Sequence, residues 1–426
     1  MIQTKHSFYS ILFNFNNLQE INAMKNFENA DNQTKNILPP ELLNSPNEAK
    51  LKYFQSLKIN HPILSQSFEE LWDAVKSYND GSLILLFGPT GVGKTTIMQL
   101  LEKRLLGELK DELLLDREMI PLVKAEIMGA STRKFDWKDY YREILLELCE
   151  FSIDNRVDLT KWETPRQPWL PFDNSGQSYK VIANDNRTTE SRLRTSVEQA
   201  LRHRRPKVVL LDEAQHLTAL STGRSLLDQQ NVIKSLANRT QTTHALFGSY
   251  ELMSFRDLNG QLARRTVNIH FRRYVNTSKQ DMNDFENIVW NFQQQLPLEE
   301  SSDLLSLTRY LYEGSFGCVG ILKDWLFRAL VKLFSGQGQI LTKEHLDMTK
   351  LDEIKLVKIA QECINGERKL EQEKKEATAK LYALLGYSQV KNDGIEIIKS
   401  KKGNNKNNFV GVRKPFRDEV GVRASS

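Results

Sequence analysis

Eight residues constrain this chain more than any others: Gly88-Pro89-Thr90-Gly91-Val92-Gly93-Lys94-Thr95, which satisfies G-x-x-x-x-G-K-[ST]. They follow Leu83-Ile84-Leu85-Leu86-Phe87, an unbroken apolar run of the kind that predicts a strand buried on both faces of a parallel sheet. After them, Ile97, Leu101 and Leu105 recur at helical spacing. Strand, glycine-rich loop and helix together make an anion cradle: backbone N–H groups curl around phosphate oxygens, and the positive end of the helix dipole points at them. The cradle is read as Gly88, Pro89, Thr90, Gly91, Val92, Gly93, Lys94, Thr95 and Thr96, with Lys94 reaching the β- and γ-phosphates and the Thr95 hydroxyl ligating Mg²⁺. ATP and Mg²⁺ are the expected ligands.

A second motif completes the first. Val208-Val209-Leu210-Leu211-Asp212-Glu213 predicts a strand that delivers two carboxylates at its C-terminal end, where open α/β sheets bind ligands. Asp212 is expected to hold the Mg²⁺ and Glu213 to orient and polarise the attacking water. Further strand signals at Pro121–Ile127, Thr243–Gly248 and Val267–Phe271 alternate with helical stretches, which implies a doubly wound α/β domain. Residues 151–188, rich in Trp, Pro, Asn and Gly, read as an insertion. After Tyr274 no strand signal returns, and short helices at Asp284–Gln295, Asp303–Tyr312, Gly320–Phe334 and Thr342–Lys350 predict a small all-α domain. The expected organisation is a polar arm over 1–50, the α/β domain over 51–274, the helical domain over 275–350, a charged helical segment over 351–390 and a disordered basic tail over 391–426.

Composition removes several function classes. No apolar run approaches the length of a membrane-spanning helix, and the first residues lack a signal-peptide pattern, so a cytoplasmic protein is expected. Cys149, Cys318 and Cys363 are too few and too scattered for a disulfide framework or a zinc site. The net charge of +5 resides in the tail, where residues 391–426 carry nine Lys/Arg against four Asp/Glu and the remainder is neutral. Bulk charge therefore makes no case for nucleic-acid binding; local clusters must.

With both motifs placed, the chain resembles AAA+ ATPases, and specifically the TniB/TnsC family of transposition regulators, over residues 60–345. The resemblance rests on Asp212-Glu213-Ala214-Gln215-His216-Leu217, Leu246-Phe247-Gly248-Ser249, Gln261-Leu262-Ala263-Arg264-Arg265 and Tyr312-Glu313-Gly314. It implies an AAA+ P-loop domain with a parallel sheet flanked by helices, followed by a helical lid. By this resemblance Ser249 takes the sensor-1 place beside the γ-phosphate. Arg264, with Arg265 as its neighbour and alternative, is implied as the arginine finger inserted by an adjacent subunit, its permanently charged fork suited to the transferring phosphoryl group. One position departs from the family: Cys318 stands where the lid helix often carries a sensor-2 arginine, with Lys323 as the available substitute. Slow, partner-dependent hydrolysis follows if it does not substitute.

For DNA, the small residues, hydroxyls and cations of Met128–Lys138 offer sequence-independent backbone contacts, with Thr132, Arg133 and Lys134 as the candidates. The corresponding loop of the resembling family faces duplex DNA inside a ring or filament. The denser Arg202-His203-Arg204-Arg205-Pro206-Lys207 cluster is read instead as a helix end with favourable dipole interactions. In the tail, Val412, Pro415, Phe416 and Val420 are apolar anchors among charges, as docking on a transposase subunit requires. The expected function is an ATP-dependent regulator of transposition that oligomerises on duplex DNA and links a TniQ-like target-selection protein to the transposase. A DNA-translocating or protein-remodelling motor, and a signalling ATPase independent of DNA, remain the alternatives.

Overall fold

Five strands, β1 Leu83–Phe87, β2 Leu122–Glu126, β3 Val208–Asp212, β4 Thr243–Gly248 and β5 Thr266–His270, form one sheet in the order β2-β3-β4-β1-β5. All neighbours are parallel, with Leu85 opposite Leu246, Leu210 opposite Ala245 and Val123 opposite Val209. The computed structural model describes residues 38–77, 82–116, 118–127, 135–148, 189–219, 224–256, 266–300, 302–336 and 338–386. Burial follows strand position. Every residue of β1 and β4 is buried, as continuous apolar runs covered on both faces must be, whereas edge strand β5 exposes Asn268. The helix Pro62–Ser77 packs against β1 and β5, and Trp137–Glu147 covers β2 and meets Glu190–Arg204. This is the AAA+ P-loop fold, and each strand lies within one residue of its sequence signal.

The helical region follows as expected in kind and differs in its boundaries. Its first helix runs Lys279–Gln294, five residues earlier than the apolar spacing indicated, because the Ser278 hydroxyl accepts the Asp281 N–H at 3.2 Å and starts the helix there. The segment at 303–312 divides into a 3₁₀ turn, Leu305–Leu307, and the helix Thr308–Ser315, which ends where Phe316 adopts a left-handed φ of 54°. The lid helix Val319–Ser335 buries Leu322, Trp325, Leu326, Ala329, Leu330 and Leu333, a stripe at helical spacing, and the Trp325 indole N–H donates to the Leu346 carbonyl at 2.9 Å. That core is continuous with the apolar layer beneath the sheet.

Two segments flank these layers. The helix Asn47–Ser56 buries Lys50 and Phe54 and so straddles the boundary set at residue 50. The C-terminal helix runs Glu353–Leu384, and the chain divides into two units within it, one up to Arg368 and one from Lys369 on. In the first unit, Cys363 and Gly366 are buried. The second is a charged helical stretch with Lys369–Glu373 paired at 3.7 Å and with Leu381, Tyr382 and Leu384 exposed. The expected insertion and the basic tail lie outside the described residues, as does the first part of the N-terminal arm.

Candidate nucleotide site

Strand order builds the site. β4 lies between β1 and β3, so the C-terminal ends of these three strands deliver the glycine-rich loop, Ser249 and the Asp212-Glu213 pair side by side. Strands spaced by about 4.8 Å put the outer two ends about 10 Å apart, which is the scale of a phosphate chain and its attacking water. In the loop, Gly91 and Gly93 take φ of 76° and 113°, conformations that a side chain resists, and Gly93 opens the helix Lys94–Glu108. The Lys94 ammonium is folded back onto the loop, donating to the carbonyls of Gly88 at 3.0 Å and Pro89 at 2.9 Å. Burial lowers its pKa, while Glu213, Asp212 and Glu362 act in the opposite direction. A cation held by two neutral carbonyls is poised to exchange them for phosphate oxygens, because charge-assisted bonds are the stronger.

The acidic side is equally ordered. Asp212 Oδ1 accepts the N–H of Glu213 at 2.9 Å, and Glu213 sits in the left-handed region at φ 52°, a strained conformation for a side chain of its size. Gln215 donates its side-chain amide to Glu213 Oε2 and accepts the Ser249 N–H at 3.2 Å. The Ser249 hydroxyl accepts the Glu251 N–H at 3.4 Å and caps the turn after β4. Burial raises the carboxyl pKa of Asp212, and the like charge of Glu213 adds to this. A partly buried carboxylate pair of this kind, with the Thr95 hydroxyl at the start of the adjoining helix, fits a hard divalent cation such as Mg²⁺. Asp212 and Thr95 are the residues that would hold it.

The lid closes over the loop directly. The Gly320 N–H donates to the Gly91 carbonyl at 2.8 Å, so the first turn of the lid helix rests on the phosphate loop. A cleft of about 480 Å³ opens beside it, lined by Gln55, Ser56, Lys58, Thr95, Thr96, Gln99 and Lys323. Sharing Lys58, Thr96 and Lys323 with it is a recess of about 50 Å³ whose other walls are mostly apolar, among them Leu57, Ile59, Leu64, Val92, Phe292 and Val319. His61 Nδ1 contacts the Tyr274 hydroxyl at 3.0 Å and the Leu64 N–H at 3.3 Å, and burial holds its pKa down to about 4, so the ring is neutral. The polar cleft suits a ribose and phosphates.

Cys318 is the residue before the lid helix and is fully buried, hydrogen-bonded to the Cys363 thiol of the C-terminal helix. Lys323 donates to the carbonyls of Gln55 at 2.8 Å and Leu57 at 2.5 Å, tying the lid to the end of the helix Asn47–Ser56 while lining the cleft. The buried Arg273, just beyond β5, pairs with Glu367 through Nη2 at 2.9 Å and Nε at 2.8 Å, and stacks 4.1 Å from the Phe316 ring centre. The first half of the C-terminal helix thus packs against the residue before the lid helix and against Arg273 beyond β5. Its contribution was not visible in the sequence, where the segment reads as a charged helix; the only signal was Cys363 and Gly366 three residues apart on one face.

The sequence candidates Gly88 to Thr96, Asp212, Glu213 and Ser249 are brought together here. Arg264, Arg265, Thr132, Arg133 and Lys134 lie outside the described residues. The Arg202–Arg205 cations are engaged locally: Arg202 donates twice to the Arg239 carbonyl, Arg204 donates to that of Glu118, and Arg205 pairs with Asp116. Sequence reasoning missed Gln215, the apolar recess and Glu362. Gln215 lay inside a quoted motif, but nothing in its spacing says which way its amide turns.

Residues 77–255 match the model of a family described as "AAA domain". Over those residues the chain is similar to AAA domains. At the level of that family this implies a nucleotide-hydrolysing ATPase. No curated protein sequence matches the chain. Among solved structures, the ORC2 protein of Aeropyrum pernix in ADPNP-ADP complexes is similar at 12% identity and TM-score 0.44, covering 70% of each chain. Cdc6p from Pyrobaculum aerophilum is similar at 12% identity and TM-score 0.44, covering 72% of this chain and 70% of that one. A Drosophila ORC structure bound to DNA is similar at 14% identity and TM-score 0.43, covering 75% and 68%. Among the described residues no helix is long and apolar enough to cross a membrane.

Proposed function

We propose that this AAA ATPase is a cytoplasmic regulator of DNA transposition. In this reading ATP joins subunits around duplex DNA, and the assembly links a TniQ-like target-selection protein to the transposase. The observation that carries the ATP-dependent part is the convergence of Lys94, Asp212, Glu213 and Ser249 at adjacent strand ends under a lid that bonds to the phosphate loop. Lys94 leaves two backbone carbonyls for the β- and γ-phosphates, Thr95 and Asp212 hold Mg²⁺, and Glu213 draws a proton of the attacking water. The Mg²⁺, when bound, offsets charge on the phosphate oxygens. The transposition part is supported by the sequence blocks around Gln215, Ser249 and Arg264, and the docking of a transposase subunit by the apolar residues of the C-terminal tail.

Assembly and hydrolysis test this reading together. ATPase rate is measured with and without duplex DNA, alongside electron microscopy of the ATP-bound protein. Stimulation by DNA and ATP-dependent rings or filaments on it are expected. Lys94→Ala should abolish both, since each lost charge-assisted bond costs about 1.5–3 kcal/mol. If Arg264 acts from the neighbouring subunit, mixing Arg264→Ala with Lys94→Ala restores part of the ATPase, because each supplies the half-site the other lacks. No recovery shifts the finger to Arg265 or rejects it. Unidirectional strand displacement would favour the motor, and an ATPase indifferent to DNA would favour the signalling role.

A further inference from the structure

Gln215 sits where two parts of the site meet, and its side-chain amide is used at both ends. Its oxygen accepts the backbone N–H of Ser249 at 3.2 Å, which fixes the amide orientation and turns the NH₂ group to Glu213 Oε2. The residue is held at its base as well: its carbonyl accepts both the N–H and the hydroxyl of Thr218, at 2.8 and 2.7 Å, and the preceding Ala214 N–H donates to Phe247 in β4 at 2.8 Å. The room it occupies exists because position 248 has no side chain. A Cβ there would lie 2.7 Å from Gln215 Oε1 and 3.2 Å from its backbone N.

We propose that Gln215 is a positioning residue for hydrolysis, a strut that fixes the carboxylate of Glu213 relative to the end of β4. This rests on the reading of Glu213 as the water-orienting group. A carboxylate on a strained backbone, with a flexible side chain, has no preferred plane of its own; a donor on Oε2 supplies one and leaves Oε1 to accept the water proton. Because the same amide is anchored at Ser249, a displacement of the β4 end by the γ-phosphate is transmitted to the carboxylate through one side chain. Hydrolysis is thereby made dependent on what occupies the β4 end, while binding at the glycine-rich loop is not.

The test separates orientation from folding and from binding. Gln215→Glu keeps the shape and the acceptor for Ser249 but replaces the donor with a like charge beside Glu213. With the full-length protein, ATP, Mg²⁺ and duplex DNA, kcat should fall at least tenfold while the Kd for a non-hydrolysable ATP analogue stays within twofold. Gln215→Ala, which adds no charge, should lower kcat similarly at unchanged analogue affinity and covers the case in which the first variant fails to fold. Wild-type kcat in a folded Gln215→Glu, or a parallel loss of analogue affinity in both variants, overturns the proposal. Glu213→Gln is run beside them. If it too retains wild-type kcat, the reading of Glu213 has failed; if it alone loses activity, only the role of Gln215 has.

Discussion

At the scale of single residues, the site separates holding a nucleotide from breaking it. In the proposed reading Lys94 and the loop backbone hold phosphates, whereas Glu213 stands across the end of β4 and has no part in the loop. Glu213→Gln keeps the volume and removes the charge that draws a proton. It should leave ATP affinity within a few-fold and lower kcat by about 10²–10⁴, the usual worth of a general base; ATP-bound assemblies should then outlive those of the wild type. Equal turnover in the variant would assign the proton to another group. The identity of these residues was legible in the sequence, because phosphate chemistry demands a fixed spacing of glycines, lysine and hydroxyl, and a strand ending in two carboxylates is a local pattern. What spacing could not convey is side-chain direction. The turn of Gln215 toward Glu213 depends on a left-handed φ at position 213 and on the absence of a Cβ at 248, two facts of geometry that no periodicity encodes.

At the scale of elements, the strands were readable for a related reason: central parallel strands must be apolar throughout, and β1, β3 and β4 leave that mark at the right intervals. The C-terminal helix left a weaker one. A narrow face of its first half packs on the preceding elements through Cys363, Gly366 and Glu367, and so it reads as a solvated charged helix although Glu362 acts electrostatically on Lys94. The contact is close. A Cβ at position 366 would lie 2.2 Å from the Tyr250 ring, so Gly366→Leu must push the helix away and strain the Cys318–Cys363 and Arg273–Glu367 contacts. Overpacking of this order costs about 1–3 kcal/mol. The urea midpoint should drop accordingly, and analogue binding should change with it, because Glu362 on this helix acts electrostatically on Lys94. A variant with unaltered midpoint and affinity would show that the helix is an appendage to the site.

At the scale of the whole molecule, two charge effects are separable by pH and by salt. His61, His244 and His270 are each held down to about 4, by burial in all three and by Arg272 in addition at His270. Between pH 6.5 and 4 the unfolded chain binds protons that the native state refuses, so stability is complete above 6.5 and falls as pH drops through that window. At pH 5 the loss is at most about 2 kcal/mol per histidine. A urea midpoint that declines from pH 7 to 5 is the expected result, and a flat one would place these rings in contact with water. DNA affinity tests the other charge effect. The cations at Arg202, Arg204 and Arg205 are engaged by protein partners, and the loop at 128–138 is the surface proposed for phosphate contact. Each phosphate contact removed lowers the slope of log affinity against log salt by about 0.9 on duplex DNA. Replacing Arg133 and Lys134 together by alanine should therefore flatten that slope by roughly two units and weaken binding alike on unrelated sequences, since backbone contacts carry no base information. Titrations of ATP-bound protein on two unrelated duplexes at several salt concentrations decide it. An unchanged slope moves the DNA surface elsewhere, and a loss confined to one duplex means that the loop reads bases.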